Sequence, residues 1–280
     1  MIIPLTRPLL ILTTLFVCIL LNTLTIQAQN WKKVAVLVYT KNGKGYVHDN
    51  IPEAVKAVQR MGTQHGFRVD TAGQPAVFSE ANLSRYTLIL FLNTNNDVFD
   101  TDEQRLVFRR YIEAGGGFIG VHSVLGTERN WTWFKQLVGG TFAWHPKFQS
   151  LKLTVLDTHH PAMGGVPATW NKNDECYFIK EMTPGPTVLL AHNLTGLNPA
   201  ETEKITANRG MFTNLYPAAW SYAYDGGYSW CTTLGHDKKD YTDPTYINHL
   251  FQGIRFVASQ VKAIAFKRAY ATGRDVPVRY

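Results

Sequence analysis

Continuous apolar runs and helix-period stretches alternate along the first half of the chain. Lys33 to Thr40 (KVAVLVYT) is valine-rich and has no polar interruption, the pattern of a strand buried on both faces of a parallel sheet. After the loop Lys41 to Tyr46, Asp49 or Asn50 caps a helix. Pro52 sits in its first turn and Glu53 near its positive end. Ala54, Val55, Val58 and Met61 share one face of that helix, and Gly66 stops it. Phe67 to Thr71 reads as a second strand and Leu88 to Leu92 (LILFL) as a third. A helix over Asp102 to Ala114 follows, then a fourth strand over Phe118 to His122. Strand and helix alternating at this spacing predict an α/β protein with a doubly wound, mostly parallel sheet.

The second half is less regular. Leu151 to Leu156 and Thr187 to Ala191 read as strands, Pro161 to Pro186 as a long structured excursion, and Asn193 to Asn214 as a polar loop. Tyr216 to Tyr224 and Tyr228 to Leu234 flank Asp225-Gly226-Gly227, a hairpin signal. Asp243-Pro244 opens a last helix that runs to about Val261, and the basic tail from Lys262 reads as peripheral.

The amino terminus carries a different pattern. Arg7, the short apolar run Leu9 to Leu21 and the small Ala28 have the order of a secretory signal peptide over residues 1–28. The run is short for a membrane span. This predicts a periplasmic or extracellular protein, with no stable membrane span once the leader is removed. The domain then covers residues 29–262, followed by the tail 263–280. Cys176 and Cys231 would remain in the mature chain, and spacing does not decide whether they pair.

Composition narrows the class. In 280 residues, 45% hydrophobic and 18% charged content exclude a mainly disordered chain or a coiled coil. A net charge of +7 favours anions in general, but no basic cluster stands out, which argues against a nucleic-acid partner.

Ligands of open α/β sheets bind beyond the carboxyl ends of the strands. His48 follows the first strand, His122 ends the fourth just before Ser123, and His236 follows the last. Three imidazoles at one edge suit either proton transfer or metal ligation. His145, within Phe142-Ala143-Trp144-His145-Pro146, is placed to face the same cleft. In Asp174-Glu175-Cys176-Tyr177, Glu175 is a candidate base or ligand and Tyr177 a hydroxyl donor. His48, His145, Trp144, Tyr177 and Asp174 are the candidate substrate-binding residues; His122, His236, Glu175 and Ser123 are the candidate catalytic ones. His48, His122, His236 and Glu175 form the candidate ligand set for one divalent transition metal, with zinc, nickel, iron and manganese all compatible. Glycines before and within the strand leading to His122-Ser123 have the look of a nucleophile elbow, in which Ser123 would need His236 as its base.

Several segments together resemble the ThuA-like family, associated with trehalose utilisation. They are Gly45 to Pro52, Tyr111 to Ser123, Trp131 to Phe142 with His145-Pro146, His160-Pro161, Asp174 to Tyr177, and Leu234 to His236. They span most of Val34 to Ala258. The resemblance implies a flavodoxin-like sheet in the three-layer sandwich of class I glutamine amidotransferases. His122-Ser123 would then lie near that enzyme's nucleophile position and His236 near its catalytic histidine. With serine in place of cysteine there, a cysteine glutaminase is excluded. The family's link is to sugar metabolism, including keto derivatives of disaccharides. The expectation is an enzyme of carbohydrate utilisation (an isomerase, lyase or hydrolase) with a small-molecule sugar substrate. The alternative is a non-catalytic sugar-binding or accessory protein on the same scaffold. Oligomeric state is left open.

Overall fold

A computed structural model describes residues 30–279; the leader expected over residues 1–28 lies outside the described residues. The strands expected in the first half are present, with ends shifted by a residue or two. They are β1 (Ala35–Tyr39), β2 (Arg68–Ala72), β3 (Leu88–Leu92) and β4 (Gly117–Val121). Helix α1 (Ile51–His65) joins β1 to β2. The short α2 (Glu80–Leu83) precedes β3, and α3 (Asp102–Glu113) precedes β4. Then follow α4 (Thr132–Val138), β5 (Thr141–Trp144), β6 (Gln149–Val155), β7 (Thr169–Asp174), β8 (Phe178–Lys180) and β9 (Thr187–Asn193). Helix α5 (Thr202–Asn208), the hairpin β10 (Leu215–Tyr224) and β11 (Gly227–Thr232), and α6 (Pro244–Gln260) complete the chain.

Nine strands form one sheet in the order β2-β1-β3-β4-β11-β10-β9-β6-β7, and β5 pairs with β8 apart from it. The half from β2 to β11 is parallel throughout. Its order is the flavodoxin-like one, with β11 in the fifth place. The half from β10 to β7 is antiparallel. β1, β3 and β4 are buried along their whole length because helices cover both faces. One core packs Ala54, Val58 and Met61 of α1 and Leu250 and Ile254 of α6 against Val36, Val38, Leu90 and Trp230. The other packs Phe108, Tyr111 and Ile112 of α3 and Phe134 and Leu137 of α4 against Leu37, Phe91 and Phe118.

Local signals explain most boundaries. Thr101 and Gln104 form a capping box at α3, Asp243 accepts from the Tyr246 N–H at 2.7 Å to cap α6, and Gly66 ends α1 in a left-handed conformation. Asp225 and Gly226, both with positive φ, make the two-residue turn between β10 and β11.

One expectation is sharpened and three are corrected. The excursion Pro161 to Pro186 contains β7, which closes the large sheet, and β8. Its alternating burial shows a strand half-open to solvent, and its polar members hid it from a search for apolar runs. The segment Asn193 to Asn214 includes α5, a helix with one buried residue, Ile205, and hence almost no periodic signal. β4 ends at Val121, so His122 starts a helical turn instead of finishing the strand. Finally, the tail is docked, not peripheral. Glu113 accepts from the N–H groups of Tyr270 and Ala271 at 2.9 and 3.0 Å, and the buried Arg109 donates to the Arg274 carbonyl at 3.0 Å. Cys176 and Cys231 are both buried free thiols.

Gly253 lies on the inner face of α6. A Cβ there would approach the fully buried Trp230 ring to 2.8 Å. Gly253→Ala is therefore expected to destabilise the fold by about 1–3 kcal/mol despite alanine's better helix propensity, as read by urea denaturation.

Candidate functional site

The carboxyl edge of the parallel half carries the candidate chemistry. His48 comes from the loop after β1, His122 from the exit of β4, and His236 from the loop after β11. Glu175 arrives from the other half, directly after β7. His122 has φ of +52°, an uncommon conformation for a residue with a side chain. The elbow anticipated at His122-Ser123 is thus made by the histidine. Its ring is fully buried, and its Nδ1–H donates to the Thr233 carbonyl at 2.7 Å, which leaves Nε2 as the bare nitrogen.

Several groups converge on that nitrogen. His48 Nε2 lies 3.1 Å away, the Tyr177 hydroxyl 3.0 Å, His236 Nδ1 3.4 Å and Glu175 Oε2 3.6 Å. His236 Nδ1 is in turn 3.2 Å from Glu175 Oε2. One nitrogen of each of the three imidazoles and one carboxylate oxygen all fall within 4.8 Å of one another. A bare ring nitrogen has a single in-plane lone pair and cannot satisfy all these neighbours as donors. Ligand atoms about 2.0–2.1 Å from a common centre, as around zinc, would be about 3.3 Å apart in a tetrahedron. The observed separations bracket that value. The donor set therefore fits a divalent transition ion.

The protonation states agree with the geometry. Burial lowers the His122 imidazole well below its ordinary range. Burial, reinforced by His236, lowers His48 to about 4. Both rings therefore carry free lone pairs at neutral pH. His236 is raised, chiefly by its hydrogen bond to Glu175. Burial pushes Glu175 up, but the hydrogen bond from His236 leads the contributions that outweigh it, so the carboxyl ends below its usual value. Burial, and then the Glu175 carboxylate, push the Tyr177 phenol well up, which keeps it a neutral hydroxyl.

The cluster opens into a cavity of about 460 Å³. Its wall includes Tyr46, Asn95, Ser123, Arg129, Phe142 and His145 besides His48, Glu175, Tyr177 and His236, while His122 lies buried behind it. His145 donates through Nδ1 to the Pro146 carbonyl at 2.8 Å and stands with Nε2 3.5 Å from Glu175.

Three candidates sit differently from expectation. Trp144 does not line the cavity; the register shift between Phe142 and Trp144 turns it away to stack on Phe178, 5.4 Å between ring centres, under Lys204. Asp174 is fully buried and touches no open space, so it cannot meet a substrate. Its Oδ1 accepts from the Glu175 N–H at 2.8 Å and the His236 N–H at 3.3 Å, and its Oδ2 from the Gly235 N–H at 2.9 Å. Lys172 closes the arrangement 3.0 Å from Oδ2. Asp174 is thus a positioning residue. The Ser123 hydroxyl lines the cavity, but it is buried without a hydrogen-bond partner, so the serine–histidine pair of a hydrolase is not formed.

Sequence reasoning missed Asn50, Asn95 and Arg129. Asn50 does not cap α1 with its side chain; its amide donates to the carbonyls of Gly235 and His236 at 2.8 and 2.7 Å and fixes the His236 loop. Asn95 lies in the Asn93 to Asn96 break after β3, at the β1/β3 switch point, and that position was the available signal.

A profile of the family described as ThuA, trehalose utilisation, matches residues 35–257. Among solved structures, a ThuA-like protein from Bacteroides uniformis is similar, with 22% identity and a TM-score of 0.63. The match covers 82% of this chain and 93% of that one. A ThuA-like protein from Parabacteroides merdae shows 19% identity and a TM-score of 0.61, over 80% and 90% of the two chains. No curated protein matches the chain.

Removing the Asp174 carboxylate strips partners from three backbone N–H groups and leaves Lys172 with Asp240 as its remaining carboxylate partner and the Asn173 carbonyl beside it. Asp174→Ala is expected to cost about 3–5 kcal/mol in denaturant unfolding, in the range for breaking a buried ion pair.

Proposed function

The chain belongs to the ThuA family, with its class I glutamine amidotransferase-like fold, and on that premise we propose that it is a metal-dependent enzyme acting on a carbohydrate or an oxidised sugar. The observation that carries the reading is the convergence of His48, His122, His236 and Glu175 at separations suited to one coordination shell. These four would hold a divalent transition ion. Bound there, it would supply Lewis-acid polarisation to a sugar oxygen.

The remaining groups suit acid–base work on the bound sugar. Tyr177, kept neutral, offers a hydroxyl proton where oxyanion charge would develop. His145, with Nδ1 engaged by the Pro146 carbonyl and Nε2 3.5 Å from Glu175, stands beside the cavity as a proton-transfer group. Phe142 packs on the Tyr177 ring, 4.6 Å between centres, and restricts it to one orientation. The hydrogen bond from His122 to Thr233 fixes that ring's tautomer, the usual outer-shell device for a ligating histidine. The leader pattern supports export to the periplasm or beyond.

Elemental analysis of the purified protein, supplemented with zinc, nickel, iron(II) or manganese and then desalted, is expected to find about one ion per chain. His122→Ala should retain less than about a tenth of it, since that nitrogen faces every other donor. Metal at 100 times its Kd should stabilise the wild type by about 2.7 kcal/mol. No retained metal in the wild type, or full retention in His122→Ala, refutes the reading. Tyr177→Phe is expected to keep the metal while lowering turnover of keto-disaccharides by roughly 10²-fold or more.

A further inference from the structure

Arg129, an exposed residue, stands on the wall of the same cavity as the metal-ligand cluster, and nothing in the function proposed above uses it. Its guanidinium is held in place from two sides. Nε donates to the Gly126 carbonyl at 3.0 Å, and the planar group lies over the Phe142 ring, 5.7 Å from its centre. Gly126 leaves room for it: a Cβ at that position would come within 2.8 Å of Arg129 Nη2 and 2.3 Å of Asn95 Oδ1. Its sequence neighbour Glu128 does not neutralise it, being turned inward to Arg105 at 2.7 Å and to the Val98 N–H at 2.8 Å. Among the described residues, neither Nη group of Arg129 has a hydrogen-bond or ion-pair partner. The acidic group that does line the wall, Glu175, is taken up by the histidines. The Ser123 hydroxyl, 3% exposed, lines the same cavity and is also unpartnered.

A guanidinium anchored at Nε and set over Phe142, with both outer nitrogens unused, matches the planar, two-oxygen geometry of a carboxylate. A neutral sugar ring offers no such group. Accordingly, we propose that Arg129 is the specificity-determining residue of the cavity and that the substrate is a sugar acid, whose carboxylate docks on the two Nη groups while its hydroxyl or keto oxygens face the histidine cluster. This rests on the reading that the cavity is the substrate site. The net charge of +7 would favour the approach of such an anion.

The test is calorimetric binding of D-glucuronate, D-galacturonate and D-gluconate, each against its neutral counterpart D-glucose, D-galactose or D-glucitol. It is run on the metal-supplemented full-length protein and on Arg129→Gln and Arg129→Lys. At least one acid is expected to bind roughly 10- to 100-fold more tightly than its neutral partner. That preference should disappear in Arg129→Gln and be only partly kept in Arg129→Lys, which retains charge without the fork. Metal content should be equal in all three proteins, so loss of metal in the wild type would count against the metal centre and not against Arg129. Acids bound no better than neutral sugars, no acid bound at all, or a preference that survives Arg129→Gln would overturn the proposal. A preference lost in Arg129→Gln while metal content holds would establish it.

Discussion

One buried carboxylate holds the site together. Asp174 ends β7 and accepts hydrogen bonds from Glu175, Gly235 and His236, so it ties the acidic donor to the loop of a histidine. β7 stands four places from β11 in the sheet. At about 4.8 Å per strand a flat sheet would keep them about 19 Å apart. The loop that leaves β11 and the twist of the sheet together close that distance. A charge so deeply buried is tolerable because Lys172 and three N–H groups face it.

The parallel half supplies the rigid part. Its strands are buried on both faces, and their carboxyl ends deliver His48, His122 and His236 to one rim. The conformation of His122, with its positive φ, is held by the Thr233 carbonyl on one side and by crowding from His48 and Tyr177 on the other. Asn50 and Tyr241 both hold the Gly235 carbonyl, which sets the His236 loop from beneath. The imidazoles are consequently arranged before any ligand arrives, the condition for an effective site.

Much of this could be read along the chain. The runs KVAVLVYT, LILFL and FIGV, each with a turn or helix signal beside it, predict the parallel half, and the histidines after them predict the chemistry. The less legible elements share a physical cause. β7 alternates polar and apolar residues at the sheet edge, and α5 buries a single side chain, so neither leaves a continuous apolar trace. Trp144 and Phe142, two apart on a strand, should share a face; a register shift that no local pattern announces separates them. The tail's docking depends on Arg109 and Glu113, whose i,i+4 spacing looks like an ordinary exposed helix pair until both are found buried.

By itself, the sequence determined the alternation of strands and helices, the family, and which residue types stand at the strand ends. Those follow from local periodicity and chain order, which act over a few residues. The tertiary structure alone decided that Glu175 meets three histidines from distant loops, that Asp174 positions instead of binding, and that Arg129 is left facing the cavity while Glu128 is turned inward. Those depend on the strand order of a nine-stranded sheet, which brings distant loops together, and on which side chains its two cores leave room for, and no short stretch of chain encodes either.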